Sequence, residues 1–248
     1  MVKTIAAVAT ASLLVVLPLG CAGALEIKAM YPPPLRTVLS ELIPKFEHDT
    51  GHRIVVGYDS SWLLVDRIRN GETPDVAFLT THAADDLIRA GKLARRIDFA
   101  RSSIGIAVRA GAAKPDIGSV EAFKRALLAA RSFARNEGAD SGLFMAGLLE
   151  RLGIAEEMKS KSTLLRQGFV AELVANGEVE MAAQQMPELI AVPGVEAIPL
   201  PQELQHVIVF CAAVSAASRV SDAVRELIDF LSSPAAAVVI RTKGLEPP

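Results

Sequence analysis

The chain has 248 residues, 51% of them hydrophobic and 22% charged, with a formal net charge of −2. That balance belongs to a folded globular protein, and excludes a disordered chain and a nucleic-acid binder, which needs a basic face. The sequence has no basic run, no fixed-period repeat and no low-complexity tract.

The first segment differs from the rest. Met1-Val2-Lys3 is a short positive head, Ile5 to Leu19 is apolar and uncharged, and Ala22-Gly23-Ala24 is a small-x-small cleavage site. This is the layout of a secretory signal peptide, with an apolar core shorter than the ~20 residues of a membrane span. Residues 1–24 are therefore read as a cleavable leader that sends the protein to the periplasm. An uncleaved anchor and a lipidated Cys21 are the alternatives, and Pro18 sits where lipoprotein leaders carry Leu. Cleavage leaves Cys211 as the sole cysteine, in the apolar run Val207 to Val214. It is expected to be a small buried hydrophobe.

Next come alternating strands and helices. Leu25 to Ala29 reads as a strand, and Leu35, Val38, Leu39, Leu42, Ile43 and Phe46 fall at helical spacing between prolines 32–34 and Gly51. Ile54-Val55-Val56 is a second strand, and the helix after Ser60-Ser61 stops at Asn70-Gly71. Asp75 to Leu79 is a third strand, followed by a helix from His82 to Ala90 that Gly91 closes. Ser102 to Val108 is a strand, Ser119 caps a helix carrying Phe123, Leu127 and Leu128, and Ser132 to Arg135 is a short strand. Ser141 opens a helix ending at Gly153, and Phe169 to Asn176 forms another, stopped by Gly177. Val179 to Ala183, Val195 to Leu200 and Val207 to Val214 are strands. Val220, Val224, Leu227, Ile228 and Leu231 make a late helix, and Pro234 to Thr242 makes the last, before Gly244.

Strands separated by helices predict an α/β fold of mainly parallel sheets flanked by helices. Such sheets bind ligands at the carboxyl ends of their strands, so the strand-to-helix junctions are where function is sought. Three junctions stand out: Ala29-Met30-Tyr31, Tyr58-Asp59-Ser60-Ser61-Trp62 and Ala139-Asp140-Ser141-Gly142-Leu143. A helix start presents unpaired N–H groups and the positive end of the macrodipole, which suits an anion. Serine adds a hydroxyl donor, and glycine lets a ligand approach the backbone. Each serine taken singly also reads as a plain N-cap.

The order and spacing of Glu26-Ile27-Lys28-Ala29, Phe46-Glu47-x-x-x-Gly51, Tyr58-x-Ser60-Ser61, Gly71-x-x-x-Asp75-Val76, Ser141-Gly142, Leu152-Gly153 and Ser233-Pro234 resemble the molybdate-binding-protein family of ABC-transporter receptors. The resemblance covers nearly the whole chain after the leader. It implies the type II periplasmic-binding-protein fold, with two α/β lobes, two crossover strands as a hinge and an anion held between the lobes. The crossovers then lie near Ile104-Gly105-Ile106 and Val207-Ile208-Val209, with lobe I at 25–104 and 208–248 and lobe II at 105–207. It also implies a monomer that delivers a small anionic ligand to a membrane permease, with no cofactor, metal or nucleic acid.

The family's serine after strand two matches Ser60, with Ser61 beside it, and its backbone donor at the lobe-two helix start matches Asp140-Ser141-Gly142. Its serine after strand one has no counterpart, because this chain reads Ala29-Met30-Tyr31-Pro32, and its lobe-two tyrosine is replaced by Gln184 or Gln185. The expected ligand site is Met30, Tyr31, Ser60, Ser61, Trp62, Asp140, Ser141, Gly142, Gln184 and Gln185. The departures suggest a roomier pocket, for an organic carboxylate as well as a molybdate-like oxyanion.

A bacterial aconitate isomerase is similar to the same family, so an enzyme on this clamp is the alternative to a transport receptor, and a sensor is a third reading. An isomerase needs one placed base beside a stabilised carboxylate. His82, Asp59, Asp140 and Glu137 are the candidate bases, and Arg109, Arg135 and Arg166 the candidate partners. No catalytic residue is assigned, since each of these also reads as a solvated charge or a cap. His48, His52 and His206 show no metal spacing with one another or with His82.

Export gives the first testable outcome. The intact mass of protein recovered from the periplasm should correspond to a chain beginning at Leu25. A mass that retains residues 1–24, or a lipid on Cys21, would contradict it.

Overall fold

The structure, a computed structural model, describes residues 23–248. Cys21 and the expected leader, except for its last two positions, lie outside the described residues. In chain order the strands are β1 (Glu26–Tyr31), β2 (Arg53–Tyr58), β3 (Val76–Thr80), β4 (Leu93–Ser102), β5 (Ile104–Arg109), β6 (Phe133–Asn136), β7 (Ser162–Leu165), β8 (Met181–Gln185), β9 (Val195–Pro199) and β10 (Ile208–Ser215). The helices are α1 (Arg36–Thr50), α2 (Ser61–Arg69), α3 (Thr81–Arg89), α4 (Val120–Ala129), α5 (Asp140–Arg151), α6 (Ala155–Lys159), α7 (Val170–Asn176), α8 (Met186–Ile190), α9 (Ser221–Leu231) and α10 (Pro234–Thr242). A 3₁₀ turn, Pro33–Leu35, leads into α1, and Gly51 closes α1 in the left-handed region at φ 75°.

The strands form two five-stranded sheets, in the orders β2-β1-β3-β10-β4 and β7-β6-β8-β5-β9. β1 pairs in parallel with β2 and β3, while β10 runs antiparallel to β3 and to β4. The second sheet repeats the plan: β6 is parallel to β7 and β8, and β5 is antiparallel to β8 and to β9. Each sheet thus has four strands in one direction and one reversed. The fold is a two-lobed α/β fold of the periplasmic-binding type.

Helices cover both faces of each sheet. In the first lobe, Phe46, Phe78 and Phe210 centre one core, while Leu64, Leu79 and Cys211 pack on the other face. In the second, Phe123, Phe133 and Met145 fill one side, and Val170, Val174 and Leu189 the other. Cys211 is fully buried, with its Sγ 3.5 Å from the Leu79 carbonyl, and burial pushes its thiol up to about 12.

Four elements lie outside the sequence reading. β4 replaces a stretch with no strand signal, because Arg95, Arg96, Asp98 and Arg101 break its apolar alternation. It is an edge strand, held by β10 and by Arg96, whose guanidinium lies 2.6 Å from both Asp85 and Asp98. α6 and α8 have five residues each, and β7 has four, all too short for a period to show.

The chain leaves the first sheet at Ser102 and enters the second at Ile104, and it returns through residues 200–207. Gln205 ties the two passages together. Its Oε1 accepts from the Ile104 N–H at 2.8 Å, and its Nε2 donates to the Ile104 carbonyl at 3.0 Å. Removing this amide leaves the buried Ile104 N–H unpaired, so Gln205→Ala should lower the unfolding free energy by about 1–3 kcal/mol. Urea denaturation measures this, and an unchanged midpoint would show that the amide does not hold the passages.

Candidate functional site

The carboxyl ends of β1, β2, β6 and β8 face one another between the lobes. A cleft of about 440 Å³ opens there. Arg36, Tyr58, Asp59 and Ser60 line it from the first lobe, and Asn136, Arg166, Gln184 and Glu188 from the second. Each wall is a strand end running into a helix start, as the junction argument expects.

The expected site residues divide into two groups. Ser60 and Gln184 line the cleft itself, while the others surround it without lining it. Met30 and Tyr31 are buried beneath the floor, and the Tyr31 ring meets Tyr58 edge-on with centroids 5.8 Å apart. Ser61 faces the Asp140 carboxyl of the other lobe and opposes its upward shift. Trp62 is 54% exposed and reaches Gly138 of the opposite lobe, where an added Cβ would lie 3.9 Å from its Nε1. Gly142 lets α5 press onto β6, since a Cβ there would overlap the Asn136 carbonyl. Gln185 is buried, with its Oε1 unpaired.

The serines are not caps. Ser60 holds the N-cap position of α2 but makes no side-chain cap bond, and the N-cap of α5 is Ala139 rather than Ser141. The Oγ atoms of Ser60 and Ser141 are both buried and make no hydrogen bond within the chain. In contrast, Ser119 Oγ accepts from the Ala122 N–H at 3.1 Å, as a capping serine does. An unpaired buried hydroxyl disfavours the folded state by about 1–3 kcal/mol.

The signature of the bacterial extracellular solute-binding protein family matches residues 27–246. The chain belongs to this family. Among relatives, it is 32% identical over 218 residues to an aconitate isomerase from a Pseudomonas species, covering 84% of this chain and 83% of that one. It is 27% identical over 244 residues to the molybdate-binding protein of Azotobacter vinelandii, covering 91% and 92%. The solved structure of the Azotobacter vinelandii periplasmic molybdate-binding protein superposes with a TM-score of 0.76 at 19% identity, over 90% of this chain and 99% of that one.

Within this solute-binding protein the candidate bases and their partners fall in different places. Asp59 and Arg166 line the cleft. His82 is exposed on α3 beside Asp86, and Glu137 pairs with Arg166 at 3.3 Å. Arg109 donates to the Ala175 carbonyl, outside the cleft lining, so it is not a cleft partner. Arg135 is half-buried and donates to the carbonyls of Asn136 and Gly142, which fixes the start of α5. Burial holds its guanidinium below its ordinary range. His206 stacks on Phe144 at 4.8 Å. Among the described residues no three His, Cys, Asp or Glu side chains are grouped to hold a metal.

The cleft residues outside the expected set include Arg36, Asn136 and Glu188. Arg36 begins α1 and its guanidinium lies 5.7 Å from the Tyr58 ring centre. Burial raises the Tyr58 hydroxyl, and Arg36 offsets this in part. Glu188 sits on α8, two residues after Met186, where Pro187 starts a helix directly after β8. That proline was the available signal for a fourth junction. Glu188 is 5% exposed, and its Oε1 accepts from Gln184 Nε2 at 2.9 Å. Burial pushes its carboxyl up to about 8, against hydrogen bonds from the Gln185 backbone and the Gln184 side chain, and nearby Asp140 adds to the rise. Asp140 is raised too, by burial, with His206 and Ser61 opposing.

An unfolded glutamate titrates near 4.5. Between that value and about 8 the folded protein keeps a proton that the unfolded chain has lost. This group therefore lowers stability as pH rises through that window. Glu188→Gln should remove the effect, so its melting temperature should gain on the wild type from about pH 5 to about pH 8. Parallel curves for the two proteins would contradict the burial of this carboxyl.

Proposed function

We propose that this protein is a periplasmic receptor that clamps a small organic di- or tricarboxylate between its lobes for delivery to an ABC-transporter permease. The observation that carries this reading is the cleft: Arg36 and Arg166 line it from opposite lobes, with the unpaired Ser60 hydroxyl beside them. Guanidinium groups match carboxylates in bidentate fashion, and hydroxyl donors complete the remaining oxygens. Ser61, Trp62, Asp140, Ser141, Gly142 and Gln185 form the rim that closes on the ligand, while Met30 and Tyr31 support the floor. The relationship to the molybdate-binding protein supports an anion receptor.

Room favours a carboxylate over a bare oxyanion. Four oxygens at the ~30 Å³ a water takes in the liquid fill on the order of 100 Å³. The cleft offers about 440 Å³. The chain also has no serine at the carboxyl end of β1, where Met30 and Tyr31 stand.

Calorimetric titration with cis-aconitate and with molybdate tests this. cis-Aconitate should bind, and at a hundredfold excess over its Kd it should stabilise the fold by about 2.7 kcal/mol. Ser60→Ala and Ser141→Ala should leave the free protein as stable as before or slightly more so, because each removes an unpaired buried hydroxyl. Each should weaken binding by about 1.5–3 kcal/mol. Binding of molybdate alone would overturn the carboxylate class, and unchanged affinity in both variants would remove the serines from the site.

A second reading, an isomerase working on the same clamp, has its own observation. Glu188 is a cleft carboxyl titrating near neutral pH, as a proton-transfer group needs, and a relative at 32% identity is an aconitate isomerase. Incubation with cis-aconitate in heavy water separates the readings. Deuterium entering the substrate supports the enzyme, and unaltered substrate supports the receptor.

A further inference from the structure

We propose that Glu188 meets the ligand as a neutral carboxylic acid, donating a hydrogen bond to an oxygen of the bound anion, and that capture at alkaline pH draws a proton from solvent into the cleft. This rests on reading the cleft between the lobes as the ligand site.

The geometry places an acid where an anion must lie. Glu188 belongs to the cleft wall, yet its side chain is withdrawn from bulk water. Gln184 fixes one of its oxygens, and Gln184 is itself held by the Val170 N–H at 3.0 Å and the Gly168 carbonyl at 3.2 Å. α8 in turn is gripped from the first lobe. A Cβ on Gly244, in the turn after α10, would run into the Ile190 side chain and touch the Met186–Pro187 backbone, and the Pro33–Leu35 turn packs on the same helix. The carboxyl is therefore held by Gln184 and withdrawn from bulk water.

The charges around it do not neutralise it. From the elements packed on α8, Glu172 of α7 is a like charge that lines the cleft, and Glu196 of β9 is paired with Lys114 at 2.7 Å. Arg109 of β5 is occupied by the Ala175 carbonyl, and Lys243, beside the Gly244 turn, pairs with Glu41 at 3.0 Å. Arg36 follows the Pro33–Leu35 turn and sits nearer Tyr58. Asp59 and Arg166 share the cleft lining, and Asp140 pushes the Glu188 carboxyl upward. An anion entering this space adds another negative charge. Two carboxylates at contact distance cannot both stay ionised in a buried site, so the one with the higher affinity for a proton takes it. The ligand keeps the arginines, and Glu188 becomes the donor. The proton passes from water to the Glu188 carboxylate and remains there while the anion is bound. No bond of the ligand is made or broken.

This cleft then selects for an acceptor oxygen opposite Glu188 and rejects a ligand group that is itself a donor there. It also ties affinity to pH. With a free carboxyl titrating at about 8, wild-type affinity should be about tenfold weaker at pH 9 than at pH 7. Tyr31 and Tyr58 are raised above their usual range, and the arginines stay charged, so none of them explains a loss in that window.

The test is calorimetry with cis-aconitate and with molybdate, both of which keep their charge across this range. At about pH 8.5, titrations in Tris and in HEPES should differ by about three quarters of the difference between the two buffers' ionisation heats, because about three quarters of a proton is taken up per anion bound. In Glu188→Gln the uptake and the loss of affinity between pH 7 and pH 9 should both vanish. Binding without proton uptake overturns the proposal and leaves the cleft reading intact. So does a pH dependence that survives in Glu188→Gln. If neither anion binds the wild type, the cleft reading fails and the proposal with it. The wild-type proton count decides even if Glu188→Gln does not fold.

Discussion

The direction in which a strand crosses from one lobe to the other governs this molecule. β4 ends at Ser102 beside the cleft, so β5, starting at Ile104, can only run away from it. Ile104 accordingly pairs with Gln185, the last residue of β8, and β5 is the one reversed strand of its sheet. The return passage obeys the same constraint, with Ile208 opposite Ser102 and β10 the one reversed strand of the other sheet. All the remaining strands then point their carboxyl ends at the cleft. Helix starts, serine hydroxyls and strand-end side chains collect there because chain direction leaves them no other place.

That concentration has an energetic consequence. Buried polar atoms without partners are rare in folded proteins. Here Ser60 Oγ, Asn136 Oδ1, Ser141 Oγ and Gln185 Oε1 are unpaired close to the same opening. Away from the cleft, Lys161 Nζ satisfies three carbonyls at the end of α4, at 2.7 to 2.9 Å. Thr37 Oγ1 and Ser162 Oγ, which do not line the cleft, are unpaired as well.

Much of this could be read in the sequence, and the omissions have physical causes. Alternating strand and helix periods gave the architecture, and Gly51, Gly91, Gly153 and Gly177 marked where helices stop. β4 escaped notice because an edge strand with one wet face tolerates arginines that erase its alternation. The serines were legible as positions, but their role was not. Whether Oγ turns to its own helix or stays unpaired depends on side-chain placement, which local sequence leaves open. Glu188 was the hardest case. Written as Met186-Pro187-Glu188, it looks like a helix start with a solvated acid. Only the packing of Gly244, the Pro33–Leu35 turn and Gln184 around α8 makes it a buried one.

Cys211 lies mid-way along β10, paired to Leu79 on one side and Asp98 on the other, far into the sheet and away from the cleft end at Ile208. Both pairings lie within the first lobe's sheet, apart from the passages at 103 and 200–207. The thiol meets a thiol-reactive reagent only when the first lobe comes apart, and then at once becomes acidic enough to react, since its resistance comes from burial. Its labelling therefore reports on the opening of the first lobe's core.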